Sequence, residues 1–476
     1  MELKSEHINT SIAPNLEKLL QQFADNDFVI VRNFSKADDS PLASIVYLNI
    51  LVDEKTLNQQ IIRKMTEDIF EQGQADEVII ESFHSLGEVR SIQELDGIVS
   101  LIANAGIVIF VEGRSEAYGM MLPGYNTRQI DEPKIEINVR GPREGFTEDL
   151  QTNLGMVYRR LKTPELKSKS YTIGRQSQTK AIILYLENQV DPEVLKEFQR
   201  RIESIDLNVV VDSAQIEEWV QDSTFSPFPQ ILYTERPDRI VSALNRGKIA
   251  MIIDGTPNVL IAPTSFFEML HPSEDLYERF YFANFLRFIR LITLFISLFG
   301  PSLYIALTTF HQEMIPTPLM MAFLSAKAGI PFPTFLEAFI MEVAFEILRE
   351  ASLRLPRAVG QSVSIVGALI IGEAAVQSGI VSRPMVIVVA MTGIASFTIP
   401  SFSTAIALRL LRFPIIFLAA FAGVFGLSIG FFVIILHLCS LQSNGALFLE
   451  PVESGRLIQT LKKYVLFPVR YRNNSK

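Results

Sequence analysis

The sequence predicts an α+β or α/β soluble head of two similar subdomains, followed by a polytopic α-helical membrane domain with four or five spans and one re-entrant or interfacial segment. Three observations carry this. Charge divides at Leu286: from Arg287 onward 15 Lys+Arg stand against 8 Asp+Glu, a balance of +7, while the part before holds 28 basic and 44 acidic residues, a balance of −16. Several runs in the basic part are apolar and nearly free of charge, which lifts the mean hydropathy of the whole chain to +0.25. The acidic part repeats one strand-and-helix string.

The repeat is read from two pairs of segments. Residues 43–65 and 180–202 each pass from an apolar strand into an amphipathic helix, and Val52-Asp53 falls on Val190-Asp191 at an offset of 138. Each Asp is placed to cap its helix, because a carboxylate accepts from the first free amides. NAGIVIFVEGRSEAYGMMLPG, from Asn104, then resembles NRGKIAMIIDGTPNVLIAP, from Asn245. Each holds a helix end with Gly, a strand, an acidic-Gly turn and a second strand, with Gly106 set on Gly247 and Gly113 on Gly255. Two pairs in one order at nearly one offset point to a duplicated unit.

Between them, residues 128–165 are dense in charge and carry Pro133 and Pro142, so the start is extended. From Thr147 the segment turns helical, with Leu150, Leu154 and Val157 on one stripe. It reads either as a solvated linker with a packing helix or as an ordered interface. The chain divides accordingly into subdomains at 1–127 and 166–280, the connector between them, a membrane domain at 281–445 and a basic tail at 446–476.

No catalytic chemistry is visible. GxxxxGK[ST], GxSxG, HExxH and CxxC are all missing, and the five histidines (His7, His84, His271, His311, His437) lack metal-ligand spacing. Neither an enzyme nor a cofactor or metal protein is expected. A head at −16 argues against nucleic acid. Cys439, the single cysteine, makes no internal disulfide. Residues 1–15 lack the apolar core of a signal peptide, so the head is expected to stay in the cytoplasm.

In the membrane half, residues 291–310 are free of charge and long enough to span, with Arg287 and Arg290 just before them marking a cytoplasmic end. Further spans are read at 363–380, interrupted by Glu373, at 385–408, with Pro400 near its middle, and at 414–438, where Gly426 and Gly430 form a GxxxG pair. The stretch after Glu313 is broken by Pro316, Pro318, Pro331 and Pro333 and reads as re-entrant or interfacial. A helix bearing Glu337, Glu342, Glu346 and Glu350 follows. Glu342 and Glu346 share a face with Arg349 while Glu337 points the opposite way, at 100° per residue. Either these carboxylates face an ion pathway inside a bundle, or the helix lies at the surface with them paired to Arg349 and Arg354. If it spans there are five spans and an external C-terminus; if not, four and an internal one. Glu373, among Gly372, Ala374 and Ala375, is read as a buried carboxylate that is protonated, paired or wetted.

At this point the chain resembles the A subunits of the GerA family of spore germinant receptors. The strings that carry the resemblance are Glu132-Pro133, Val139-Arg140-Gly141-Pro142, Gly145-Phe146, Glu148-Asp149 and Thr152-Asn153, then SPFPQILYTERPDRI from Ser226, which contains Glu235, Arg236 and Pro237. The membrane half adds PFPTFLEAFIMEVAFEILREASLRLP from Pro331, GQSVSIVGALIIGEAAVQSGIVS from Gly360 and ASFTIPSF from Ala395. A related stage V sporulation protein shares the fold and acts with a different partner.

The resemblance implies a multi-pass protein of the spore inner membrane. It implies a transporter-like B subunit that senses nutrient, a lipoprotein C subunit, and a homo-oligomer of the A subunit forming a nutrient-gated cation channel. Arg140, Gly141, Pro142, Glu148, Asp149, Glu235, Arg236 and Pro237 are then candidates for an ordered interface. Glu342, Glu346, Glu373 and Glu337 are candidates for an ion pathway. A non-conducting scaffold or signalling subunit is the alternative. A secondary transporter would show two matched membrane repeats, and the sequence repeats only in the head.

Overall fold

The structure, a computed structural model, describes residues 7–35, 41–63, 65, 88–124, 132–133, 136, 138–355 and 372–449. It divides into two compact units, one of residues 1–221 and 231–263, the other of residues 222–230 and 264–476, so the chain passes between them three times.

The first unit holds two five-stranded sheets of one topology. Strands β1 (Val29–Ser35), β2 (Pro41–Leu48), β3 (Arg90–Ile92), β4 (Gly106–Val111) and β5 (Ala117–Met121) lie in the order β1-β2-β4-β5-β3. Strands β6 (Leu166–Ile173), β7 (Thr179–Leu186), β8 (Leu232–Thr234), β9 (Ile249–Ile253) and β10 (Val259–Ala262) lie in the order β6-β7-β9-β10-β8. Register repeats as well: Ala43 faces Val111 as Ala181 faces Ile253, and Ile109 faces Tyr118 as Met251 faces Leu260. Neighbouring strands within both sheets are antiparallel, which decides for α+β over α/β.

The helices repeat too. After β2 a helical turn (Glu54–Thr56) runs into a π turn (Leu57–Ile62), and Asp53 accepts from the amides of Lys55 and Thr56. After β7, helix α4 (Pro192–Glu203) starts on Asp191, which accepts from Glu193. Helices α2 (Leu95–Ala103) and α6 (Pro237–Leu244) occupy matching places before β4 and β9. The structure shifts one equivalence by a residue: Ala105 (φ +67), not Gly106, sits where Gly247 (φ +79) does.

The repeat also reaches further back than the strings suggest. α1 (Ile12–Gln22) and α3 (Leu150–Tyr158) are counterparts, so α3, counted with the connector in the sequence, is the first helix of the second subdomain. Asn15 closes a two-way bond to the backbone of Asn9, and Asn153 does the same to Thr147. In both acidic-Gly turns the carboxylate accepts from a first-turn amide: Glu112 from Ile12 at 2.9 Å and Asp254 from Leu150 at 3.4 Å. Gly113 (φ +85) and Gly255 (φ +84) donate to the carbonyls of Thr10 and Glu148. These turns are helix caps, which is what acidic side chains at N-termini do.

The two subdomains are nevertheless not interchangeable. α1 buries one face (Ile12, Asn15, Leu19), but α3 is buried almost all round. Gly155 lies against the Ile50 carbonyl and Tyr158 packs edge-on to Phe28. Beside it, Ser168 donates its amide to Asp25 and the Lys167 ammonium reaches the Gln22 carbonyl. Where α3 has Gly155 and Met156, α1 has exposed Glu17 and Lys18.

In the second unit, α7 (Phe280–Thr309) runs from a near end at Phe280 to a far end at Thr309. A short α8 (Thr317–Lys327) with no fully buried residue follows, then α9 (Thr334–Arg354), α10 (Arg383–Phe397) and α11 (Phe402–Ser440). By length and composition α7 and α11 are apolar and long enough to cross a membrane; α10 is apolar but shorter. The prolines sort differently from the sequence reading. Pro316 and Pro333 precede the first residues of α8 and α9, and Pro318 sits in the first turn of α8, so they start helices rather than break them. Pro400 lies between α10 and α11, so the span expected at 385–408 is two helices meeting at a turn.

The span expected at 414–438 is likewise corrected. At Gly423 (φ 58, ψ −137) the helix reverses into two antiparallel arms, 402–422 and 424–440. A Cβ on Gly426 would lie 2.1 Å from the Leu418 carbonyl, eight residues away and about 12 Å distant along a straight helix. The GxxxG pair therefore works within one chain, letting two arms touch. Gly423 itself leaves no room, since a Cβ would meet Phe310 and His311 at 2.9 Å. Gly329 (φ +86) has open space around it. We expect Gly329→Ala to lose about 1–2 kcal/mol of stability from the left-handed backbone alone, and Gly423→Ala to lose clearly more, read as melting of the full chain in detergent. Equal losses at both positions would refute the close turn.

Candidate functional site

α9 and the first arm of α11 run antiparallel and meet along an aromatic, then a charged, strip. Phe335 and Phe339 pack on Phe417 (5.2 and 5.8 Å) and Phe339 on Phe413 (6.1 Å). One turn on, Glu342 meets Arg412 at 2.5 Å, and then Glu346 meets Arg409. Spacings of three and four place each set on one helix face. Glu342 and Arg412 have 3% and 4% of their side chains exposed. Arg349 lies 4.0 Å from Glu346, donates to the Ser396 hydroxyl at 2.9 Å and sits 4.6 Å over the Phe397 ring.

The rest of the Arg412 guanidinium is satisfied by a defect in α7. Pro301 has no amide hydrogen, so the Ser297 carbonyl four residues back loses its helical donor. Arg412 supplies one: Nε donates to that carbonyl at 2.7 Å and Nη2 to the Ser297 hydroxyl at 3.3 Å. One side chain thus joins α7, α9 and α11.

The pathway candidates are therefore separated by the structure. Glu342 and Glu346 face a strip with Arg349, Arg409 and Arg412, a charge excess of one cation. The surface-helix alternative in the sequence paired them with Arg349 and Arg354; neither alternative included Arg409 and Arg412, which lie sixty to seventy residues on, and only their place inside an apolar helix could have marked them. Arg354 pairs instead with Glu350. Glu337, on the other side of α9, is fully buried, accepts from the Ser382 amide at the start of α10 (2.8 Å) and lies 3.9 Å from the Lys327 ammonium. Glu373, expected to be buried, is exposed on a short helical stretch beside Gln377, whose amide donates to it at 3.0 Å. Residues 356–371, including the first half of the span expected at 363–380, lie outside the described residues, as do 450–476 of the tail. Arg287 and Arg290, which the sequence reading took to mark the cytoplasmic end of α7, are buried on Asp275.

In the first unit, the connector is hooked from below. The Arg236 side chain, 1% exposed, donates to the carbonyls of Glu136 (3.1 Å) and Pro142 (2.8 Å) and pairs with Asp238 at 2.9 Å. Arg239 and the Thr234 hydroxyl both bind the Glu136 carboxylate. The Glu235 carbonyl accepts from Phe146 at 2.7 Å, and Pro237 opens α6. Asp149 caps α3 through Thr152, and the Glu148 carbonyl holds Gly255. Of the interface candidates, these are engaged inside the chain, whereas Arg140 and Gly141 (φ +121) stay exposed at the tip. Elsewhere in this unit burial pushes the Glu217 carboxyl on α5 (Ser213–Val220) up to about 7, and hydrogen bonds from Arg200 and Arg201 hold Glu197 on α4 at about 2.

Two outcomes are expected. Arg236→Ala should cost about 3–5 kcal/mol, because it takes a bidentate cation from a buried carboxylate and donors from two carbonyls, and Arg236→Lys should recover little, since an ammonium lacks the fork; faster proteolysis within residues 138–146 is the readout. Glu342→Met and Arg412→Met should each cost about 3–5 kcal/mol in detergent melts, and the double variant much less than their sum. The double variant should still fall short by about 1–3 kcal/mol, the penalty of the orphaned Ser297 carbonyl, which Pro301→Ala should restore.

Residues 16–475 match the family described as Bacillus/Clostridium GerA spore germination protein. The chain is 42% identical over 447 residues to spore germination protein KA of Bacillus subtilis (94% of this chain, 82% of that one). It is 40% identical over 445 residues to the B. subtilis protein called uncharacterized membrane protein YfkQ (94% and 86%), and 34% identical over 460 residues to spore germination protein GerLA of Bacillus cereus (95% and 93%). The crystal structure of the N-terminal domain of the A subunit of the Bacillus megaterium spore germinant receptor GerK3 is 27% identical with a TM-score of 0.44, covering 55% of this chain and 98% of that one. With a match that spans nearly its whole length, this chain belongs to the GerA family of spore germination proteins.

Proposed function

We propose that this chain is the membrane subunit of a nutrient germinant receptor that triggers spore germination, acting as a gated cation conductor together with B and C partner subunits rather than as an enzyme. Copies of the chain assemble around the pathway in the spore inner membrane, and the N-terminal head is cytoplasmic. The observation that carries the reading is the Glu373–Gln377 pair, exposed on a stretch whose other residues are small or apolar. A carboxylate at membrane depth faces water or a polar partner, not lipid. The arginine-paired Glu342 and Glu346 serve as fixed joints of the bundle.

The helix directions support a multi-pass bundle. α7 runs to the far end, and α9 runs back, as its contacts with the first arm of α11 require. α10 begins at Ser382, beside Glu337, and ends with Thr398 against Thr293 of α7. The two arms of α11 then run out and back, reversing at Gly423.

The alternative is a scaffold that conducts nothing and passes a conformational change to other spore proteins; the ion-paired joint of α7, α9 and α11 would suit it. Potassium efflux from liposomes containing this chain with its B and C partners separates the two. Nutrient should trigger efflux in the unaltered complex, and Glu373→Ala should abolish it at unchanged abundance, while Glu342→Ala lowers abundance itself. A nutrient-binding complex that releases no potassium would sink the conducting reading.

A further inference from the structure

Residues 222–230 (DSTFSPFPQ) lie between α5 and β8 in the chain, yet they belong to the second unit. They form a stapled strap. The Gln230 carboxamide accepts from the Ser223 amide at 2.8 Å and donates to the Ser223 carbonyl at 2.7 Å, closing the loop. The Gln230 carbonyl accepts from the Ser443 hydroxyl at 2.6 Å, and Asp222 accepts from the Asn444 amide at 2.7 Å. Pro227 and Pro229 fix two further backbone angles. Phe228 is buried edge-on to Phe266 and beside His437. At the tip, Phe225 is 99% exposed. A rigid strap that holds one aromatic ring entirely out of its own core presents it to something else.

The depth of the strap says to what. The Ser226 hydroxyl lies 2.9 Å from Nε2 of His437, in the last turn of the second arm of α11. That arm is antiparallel to α7, with Phe431 packed on both Phe295 (6.3 Å) and Phe299 (5.9 Å). Six residues on, His437 is about 9 Å nearer the near end, level with the place where the charge-free run 291–310 of α7 begins. The first turns of α7, at that same end, expose Tyr281, Phe282, Phe285 and Phe288. Aromatic rings gathered where apolar helices leave the hydrocarbon form the belt that seats a protein at the headgroup boundary.

We propose that Phe225 is part of that belt: the strap inserts it into the headgroup–acyl boundary of the lipid surface at the near end. Both joins of the strap to the first unit, at 221/222 and 230/231, are then held at the bilayer surface. This rests on the reading that the second unit crosses a membrane, so the test carries its own control.

The full chain, with Trp219→Phe removing its single tryptophan, is made with either Phe225→Trp or Phe432→Trp, the latter at an exposed position within the second arm. Both are placed in phosphatidylcholine vesicles brominated at shallow or deep acyl positions. The Phe225→Trp chain should emit at shorter wavelength than tryptophan in water and lose emission to shallow bromines more than to deep ones. The Phe432→Trp chain should show the reverse order. Quenching of the second chain but not the first overturns the proposal: red emission then means water, and blue unquenched emission a protein partner or second copy. Quenching of neither refutes the membrane reading itself. A nitroxide on Phe225→Cys, in a Cys439→Ser chain, reads the same depth from relaxation by oxygen against aqueous nickel, and decides the question in the same way should the tryptophan variant not fold.

Discussion

The second unit turns on one guanidinium. Arg412 sits where α7, α9 and α11 meet, and each of its three nitrogens has an acceptor of different origin: a carboxylate, a hydroxyl and a carbonyl that a proline has set free. A buried charge is tolerable only when paired and hydrogen-bonded. Here the broken ladder at Pro301 and the buried cation at Arg412 cancel each other's cost, and either alone would be a fault. The lengthwise position of α9 follows, since the Phe335, Phe339 and Glu346 contacts lie in register with this pair. So does the distinction between carboxylates fixed in the bundle and the exposed one at Glu373.

The sequence made some of this legible and hid the rest for identifiable reasons. The repeat could be read because strand composition and the caps at Asp53 and Asp191 are local signals. The share of α1 and α3 in it could not, because their cores are short and the helices differ on every outward position: Glu17 and Lys18 in one, Gly155 and Met156 in the other. The acidic-Gly turns were visible as turns, but their task became clear only when Glu112 and Asp254 were found a hundred residues from the amides they cap.

In the bundle, apolar runs were legible and reversals were not. An uninterrupted apolar stretch reads as one span, and a single glycine within it looks like one small residue among several; only the backbone at Gly423 shows a turn. The face shared by Glu342, Glu346 and Arg349 follows from helical periodicity alone. Their partners sit on another helix, where no spacing rule reaches. Arg236 is the same case in the first unit: a residue in a recognisable string, whose work is to hold a connector ninety-four residues upstream.

The strap has a consequence for how the chain is made. Its anchoring bond is to a hairpin synthesised 213 residues later, at Ser443. Until that hairpin emerges, the Gln230 carbonyl lacks its Ser443 donor, although the Gln230 carboxamide can already pair with Ser223. The strap can thus close on itself before the residues that anchor it have been made. A chain that stops short of Ser443 leaves the strap without its anchor.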